Sequence, residues 1–136
     1  IYGDGMQERC FSYIDDCTIS MENCLDNPFT SKQIINIGPD EESVTINQLA
    51  ELCANATGHN LQPIYVRDRP QEVKVATCSS NKARKLLNFQ TKFTLNDSIK
   101  NTLNYIKKRG PRDFDYYINL EIQNDLTPNT WKKKLI

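Results

Sequence analysis

Apolar positions recur at helical spacing in two stretches of the chain. In TINQLAELCANATG, Ile46, Leu49, Leu52 and Cys53 share a face, Thr45 and Gln48 stand at capping-box spacing, and Gly58 supplies the stop. The pattern predicts a helix over 45–57. In TLNDSIKNTLNYIKKRG, Leu95, Ile99, Leu103 and Ile106 share a face, basic residues fill the last turn and Gly110 ends it, which predicts a helix over 95–109. A shorter helix carries Ile19, Met21, Cys24 and Leu25 ahead of Asn27-Pro28, and Asp15 and Asp16 suit its N-cap. Ser79 or Ser80 caps another, with Ala83, Leu86 and Leu87, and Asn88 stands where a left-handed residue closes a helix.

Elsewhere the period is two. Arg9, Phe11 and Tyr13 alternate with Cys10, Ser12 and Ile14, which on a strand puts the first three in one row on one face. QIINIGP (33–39) reads as a short strand stopped by Gly38-Pro39, and LQPIYV (61–66) as a strand with an edge-type proline. Short strands alternating with three to four helices point to an α/β class, with strands too few and too short to complete a sheet alone. From Pro111 the pattern loses its period. The expected organisation is a folded portion over 1–110 and an irregular, aromatic-rich arm over 111–136 that wraps over something.

Composition narrows the function. Lys+Arg and Asp+Glu number 17 each in 136 residues, so a protein living on nucleic-acid phosphates is not indicated. At 38% hydrophobic and 25% charged, the chain is polar for a compact globule, as a portion leaning on a partner would be. The five cysteines, at 10, 17, 24, 53 and 78, form no CxxC, and His59 is the single histidine. A disulfide scaffold or structural zinc site is therefore not expected, and buried or half-buried thiols in a reducing, cytoplasmic setting are. No apolar run approaches a membrane span and no signal peptide is visible. The chain opens on Ile1 rather than Met and reads as cut or processed there.

Two clusters carry candidate chemistry. Arginine forms bidentate bonds to phosphate and an aromatic packs on a ring, so the Arg9–Phe11–Tyr13 row suits a nucleotide. A surface strand with one solvated arginine and two half-buried aromatics accounts for the same pattern. In RDRPQE, Arg67 and Arg69 precede a backbone-fixing proline, with Glu72 three residues after Arg69; such a loop can grip a phosphate and a ribose together. A charged turn with a local, weakly stabilising Arg–Glu pair is the plainer alternative.

Taken in order, IYGDGMQERCFSYIDD, INIGPDEESVTINQLAE, RPQEVKVATCSSNKARKLLNF and TLNDSIKNTLNYIKK resemble the C-terminal half of extended short-chain dehydrogenase/reductases acting on nucleotide sugars. The likeness is greatest to NAD-dependent UDP-glucose 4-epimerases and the related dehydratases and decarboxylases. It spans nearly all of residues 1–110, and the tail resembles an extension of one epimerase-like branch. The resemblance implies that Arg9 and Arg69 contact a diphosphate, that Phe11 lines the nucleotide pocket, and that Glu72 holds ribose hydroxyls. It also implies that the helix beginning near Ser80 anchors the arginine loop. The family usually has aspartate where Cys10 stands and glycine where Asn88 stands.

The family's hydride chemistry needs a Gly-rich dinucleotide turn and a Tyr-x-x-x-Lys pair. This sequence has no GxGxxG, and Tyr13 leads to Cys17, Tyr65 to Arg69 and Tyr105 to Arg109. The expectation is a nucleotide-sugar-binding portion with no catalytic, cofactor or metal residues of its own, its Rossmann half absent. NAD belongs to the full-length parent, and this chain alone binds none. Its partners are a nucleoside-diphosphate sugar, the missing Rossmann half and, through uncovered apolar faces, a second copy in a homodimer; nucleic acid and membrane are not among them. The alternative is a non-catalytic binding or assembly module.

Overall fold

The termini of the helices, more than the strands, order this chain. The computed structural model describes residues 1–112 and 120–134. Strand β1 is Glu8–Arg9, helix α1 Ile14–Leu25, strand β2 Val44–Thr45 and helix α2 Ile46–Thr57. Strand β3 (Val75–Ala76), helix α3 (Asn81–Leu87), helix α4 (Leu95–Arg109) and the short helix α5 (Asn129–Lys132) complete the order, with a 3-10 turn at Pro28–Thr30. The result is a small α/β unit of few strands and several helices.

Helices α2 and α4 form because their ends are satisfied locally. Thr45 Oγ1 accepts the Gln48 amide at 3.1 Å, and the Gln48 side chain accepts the Thr45 amide at 2.8 Å. Gly58 closes α2 at φ 71°. Thr94 and Asp97 repeat the reciprocal cap on α4, with amide bonds of 3.2 and 3.1 Å. At the end of α3, Asn88 adopts φ 53°, the left-handed conformation that its position predicts.

The sheet is three strands of two residues, in the order β2-β1-β3. Arg9 lies opposite Val44 across an antiparallel pair and opposite Ala76 across a parallel one. An isolated parallel bridge joins Tyr2 to Val66. The Gly-Asp-Gly turn between Tyr2 and β1 needs its glycines: Gly3 and Gly5 sit at φ 65° and 71°, and a Cβ on either would overlap the side chain of Asp68 or Asn47.

Several expected elements differ. The row at 9–13 is a strand only as far as Arg9, because Tyr13 already serves as the N-cap position of α1. Asp15 and Asp16 sit in the first turn of α1 rather than at its cap. Asp16 turns inward and accepts the amides of Lys92 and Phe93 at 3.2–3.4 Å, so its carboxylate closes a distant loop instead of its own helix. Among the described residues segment 33–39 pairs with no strand; it places Ile35 and Ile37 against the core and leaves Ile34 outside. Segment 61–66 is exposed up to the Val66 bridge. Cys53 and Cys78 are exposed rather than buried, and Cys10, Cys17 and Cys24 are half-buried. The arm contains α5, which its irregular sequence did not suggest, and residues 113–119 of it lie outside those described.

The core is thin. Among the described residues, the fully buried apolar side chains are Ala83, Leu87 and Phe89, with Cys24, Ile35, Ile37 and Leu86 packed around them. Helix α1 packs on α3 and α2 on α4, yet neither α2 nor α4 buries a residue completely. Leu25, Phe29, Ile34 and Ile64 are each more than three-quarters exposed.

Polar bonds supplement that core at the start of α3. The Ser80 hydroxyl donates to the Gly38 carbonyl at 2.5 Å, and the Ser80 amide donates to Asp40 at 2.8 Å. Ser80 therefore ties down the 38–40 turn, not the arginine loop, and the first amide of α3 is served weakly by Ser79 at 3.4 Å. Arg84 of α3 forks onto both Asp40 oxygens and reaches Glu41 at 2.5 Å. The Arg84 hydrogen bonds, followed by the Ser80 amide, hold the Asp40 carboxyl at about 2 against an ordinary 3.8.

The unfolded chain thus takes up the Asp40 proton at higher pH than the folded one, so this contribution is present above pH 3.8 and disappears as the pH falls towards 2. Urea unfolding of the native chain and Asp40→Asn across that window tests it. The stability gap between them should be widest above pH 3.8 and close towards pH 2; a gap constant with pH would contradict the assignment.

Candidate functional site

Strand pairing brings two distant arginines to one carboxylate. Because β3 runs parallel to β1, with the Glu8 amide donating to the Lys74 carbonyl at 2.8 Å, the loop before β3 is carried alongside Arg9. Within that loop, Pro70 fixes its own φ and Gln71 takes φ 59°, turning the chain so that the Glu72 amide meets the Arg69 carbonyl at 3.3 Å. The turn places Arg69 and Glu72 on the side of Arg9.

Glu72 Oε1 accepts Arg9 Nη2 and Arg69 Nη2, each at 2.8 Å. Arg69 Nε lies 2.5 Å from Oε2, but its N–H is not aimed at that oxygen and makes no hydrogen bond. Arg9 is further held by a 2.7 Å bond from Nη1 to the Glu8 carbonyl. The guanidinium of Arg69 lies over the Tyr2 ring, 4.8 Å from its centre, and the Tyr2 hydroxyl is hydrogen-bonded to that of Thr130. The Glu72 side chain is 14% exposed, against 25% for Arg9 and 39% for Arg69. Two guanidinium groups on one carboxylate leave net positive charge at the mouth of a cleft.

The cleft holds about 470 Å³ and is lined by Arg9, Arg69, Glu72, Val73, Leu126 and Trp131, among others. Arg9 also borders a second cleft of about 320 Å³, where Phe11 lies with Pro39, Val44, Phe93 and Leu95. Phe93 in turn packs on Tyr13, ring centres 4.6 Å apart. The structure thus gathers Arg9, Arg69 and Glu72 and sets Phe11 in the adjoining hollow, with Arg9 at the boundary. Arg67 is not part of the cluster; it lines a broader cleft of about 970 Å³ with Asp68 and the arm.

Beside Arg9, Cys10 stands where the resembling family carries aspartate. Burial foremost, then the nearby charges of Asp40 and Glu41, pushes its thiol pKa up. Tyr2, Thr130 and Trp131 were not legible as site residues. Their one sequence signal is that Trp131 is the single tryptophan, in the aromatic-rich arm. Among the described residues no group of His, Cys, Asp and Glu could hold a metal ion, and no helix is long and apolar enough to cross a membrane.

No protein-family profile matches the chain. A UDP-glucuronate 4-epimerase of Thermodesulfobacterium geofontis is 32% identical over 108 residues, covering 79% of this chain and 33% of that protein. A GDP-mannose 3,5-epimerase of Arabidopsis thaliana is 28% identical over 109 residues, covering 80% of the chain and 28% of that protein. Among solved structures, the Bacillus cereus UDP-glucuronic acid 4-epimerase in complex with UDP-4-deoxy-4-fluoro-glucuronic acid and NAD superposes with a TM-score of 0.73 at 29% identity. That match covers 81% of this chain and 35% of the other. The chain spans about a third of the length of the relatives it matches, as a partial fold of this kind without its Rossmann half does. The homology points to the extended short-chain dehydrogenase/reductase superfamily of NAD-dependent nucleotide-sugar epimerases and dehydratases, and not to one member of it.

Proposed function

We propose that this chain is the nucleotide-sugar-binding C-terminal portion of an NAD-dependent nucleotide-sugar epimerase or dehydratase, most like a UDP-glucose 4-epimerase. The observation that carries the reading is the convergence of Arg9 and Arg69, from separate segments, on Glu72. In this reading Glu72 holds the two guanidinium groups ready while the cleft is free of ligand. The diphosphate replaces the carboxylate on them, and Glu72 turns to the ribose hydroxyls. Phe11 gives the nucleotide an apolar contact next to Arg9.

The chain's own residues do not fit NAD. Among the described residues the sheet is three two-residue strands of which one pair is parallel, too short an edge for a dinucleotide, and the sequence has neither GxGxxG nor Tyr-x-x-x-Lys. No hydride or proton step is assigned to it; these belong to the Rossmann half of a parent enzyme, which NAD would serve. The five free thiols suit a cytoplasmic protein.

Calorimetry with UDP-glucose tests the clamp. A charge-assisted bond contributes about 1.5–3 kcal/mol, so Arg69→Ala should weaken binding by roughly ten- to hundredfold. Arg69→Lys should recover part, keeping the charge and losing the fork. Glu72→Gln should cost less than Arg69→Ala, because an amide oxygen still accepts a ribose hydroxyl and no longer competes for the arginines. Affinity indifferent to Arg69 would reject the reading.

The exposed apolar faces call for a cover, either a Rossmann half or a second copy of the chain. For the chain alone, the midpoint of thermal unfolding should be low, or should rise with protein concentration as self-association does. A high midpoint independent of concentration, in a monomer by sedimentation, would contradict it.

A further inference from the structure

The C-terminal segment reaches the arginine cleft and supplies part of its wall. Its approach is fixed by a self-closed turn, in which the Thr127 amide meets the Asn124 carbonyl at 3.1 Å and the Thr127 hydroxyl accepts the Asn124 amide at 3.1 Å. Pro128 then sets the start of α5. Thr130 is buried, and its hydroxyl bonds that of Tyr2, whose ring lies beneath the Arg69 guanidinium. One residue on, Trp131 lines the same cleft as Arg9, Arg69 and Glu72, with Leu126 and Pro128 beside it, and remains 49% exposed. A half-exposed indole lining a cleft with two arginines leaves apolar surface uncovered beside the cations. An indole face stacks on flat rings largely regardless of their hydrogen-bonding edges.

We propose that Trp131 is a ligand-contacting, specificity-determining residue of this cleft. Its indole packs on the nucleoside of a nucleoside diphosphate whose phosphates Arg9 and Arg69 hold, so the arm selects nucleotides over bare phosphates. The inference rests on reading the cleft as a diphosphate site.

Trp131 is the single tryptophan, so emission excited at the red edge of the indole band, beyond the absorption of the tyrosines, reports on it alone. The chain, Trp131→Ala and Trp131→Phe are titrated with UDP and with inorganic pyrophosphate, following heat and emission together. The expected result is a saturable change in Trp131 emission with UDP at the calorimetric affinity. Trp131→Ala should lose about tenfold in UDP affinity and nothing in pyrophosphate affinity, with Trp131→Phe keeping most of both. UDP heat without any emission change in the native chain overturns the inference and leaves the diphosphate reading standing; this needs no variant to fold. Equal loss of UDP and pyrophosphate in Trp131→Ala also overturns it, since the indole would then act on the arginines. If neither compound binds the native chain, the diphosphate reading fails and the inference falls with it.

Discussion

The site depends on one carboxylate. Glu72 is the most buried member of its cluster, and it is where two cations from separate stretches of sequence meet. Without it, Arg9 and Arg69 would repel one another across a half-exposed cleft. With it, they are held at hydrogen-bonding distance, and the three side chains together keep net positive charge. Arg69 is doubly held, by Glu72 and by the face of Tyr2, which ties the clamp to the C-terminal arm through Thr130.

Everything else serves to bring three segments to that point. Two-residue strands set the register of Arg9 against the loop that carries Glu72. The turn at Pro70-Gln71 folds Arg69 back towards Glu72. The Asp40–Arg84 pair and the Asp16 carboxylate hold the long loops that border the Phe11 cleft. Polar anchoring of this kind substitutes for a core that contains few fully buried apolar side chains. It also fits a chain similar to only about a third of each relative's length, since the faces left open are of the kind that a larger protein covers.

What the sequence disclosed follows from the range of the interactions. The reciprocal cap at Thr45 and Gln48, the left-handed Gly58 and Asn88, and the faces of α2 and α4 are decided within a few residues. They could be read from local pattern. β2 and β3 could not, because two residues carry no period and exist as strands only through β1. Asp16 misled for the same reason: next to a helix start it looks like a cap, but its partners stand beyond residue 90. Arg9, Arg69 and Glu72 were legible through motif resemblance, and the local Arg69–Glu72 pair was the plainer alternative that the loop itself offered; the Arg9–Glu72 pair, 63 residues apart, was not foreseen. Nor was the point where the arm is tied down, since the Tyr2–Thr130 bond joins the two ends of the described chain.

The claim that Arg9 and Arg69 form one anion clamp is tested most directly by a crystal structure of the chain with UDP bound. The diphosphate oxygens should lie about 2.7–2.9 Å from both guanidinium groups, with the Glu72 carboxylate released from at least one of them. UDP seated elsewhere, or bound nearby while both arginines stay on Glu72 and touch no phosphate oxygen, would contradict the account.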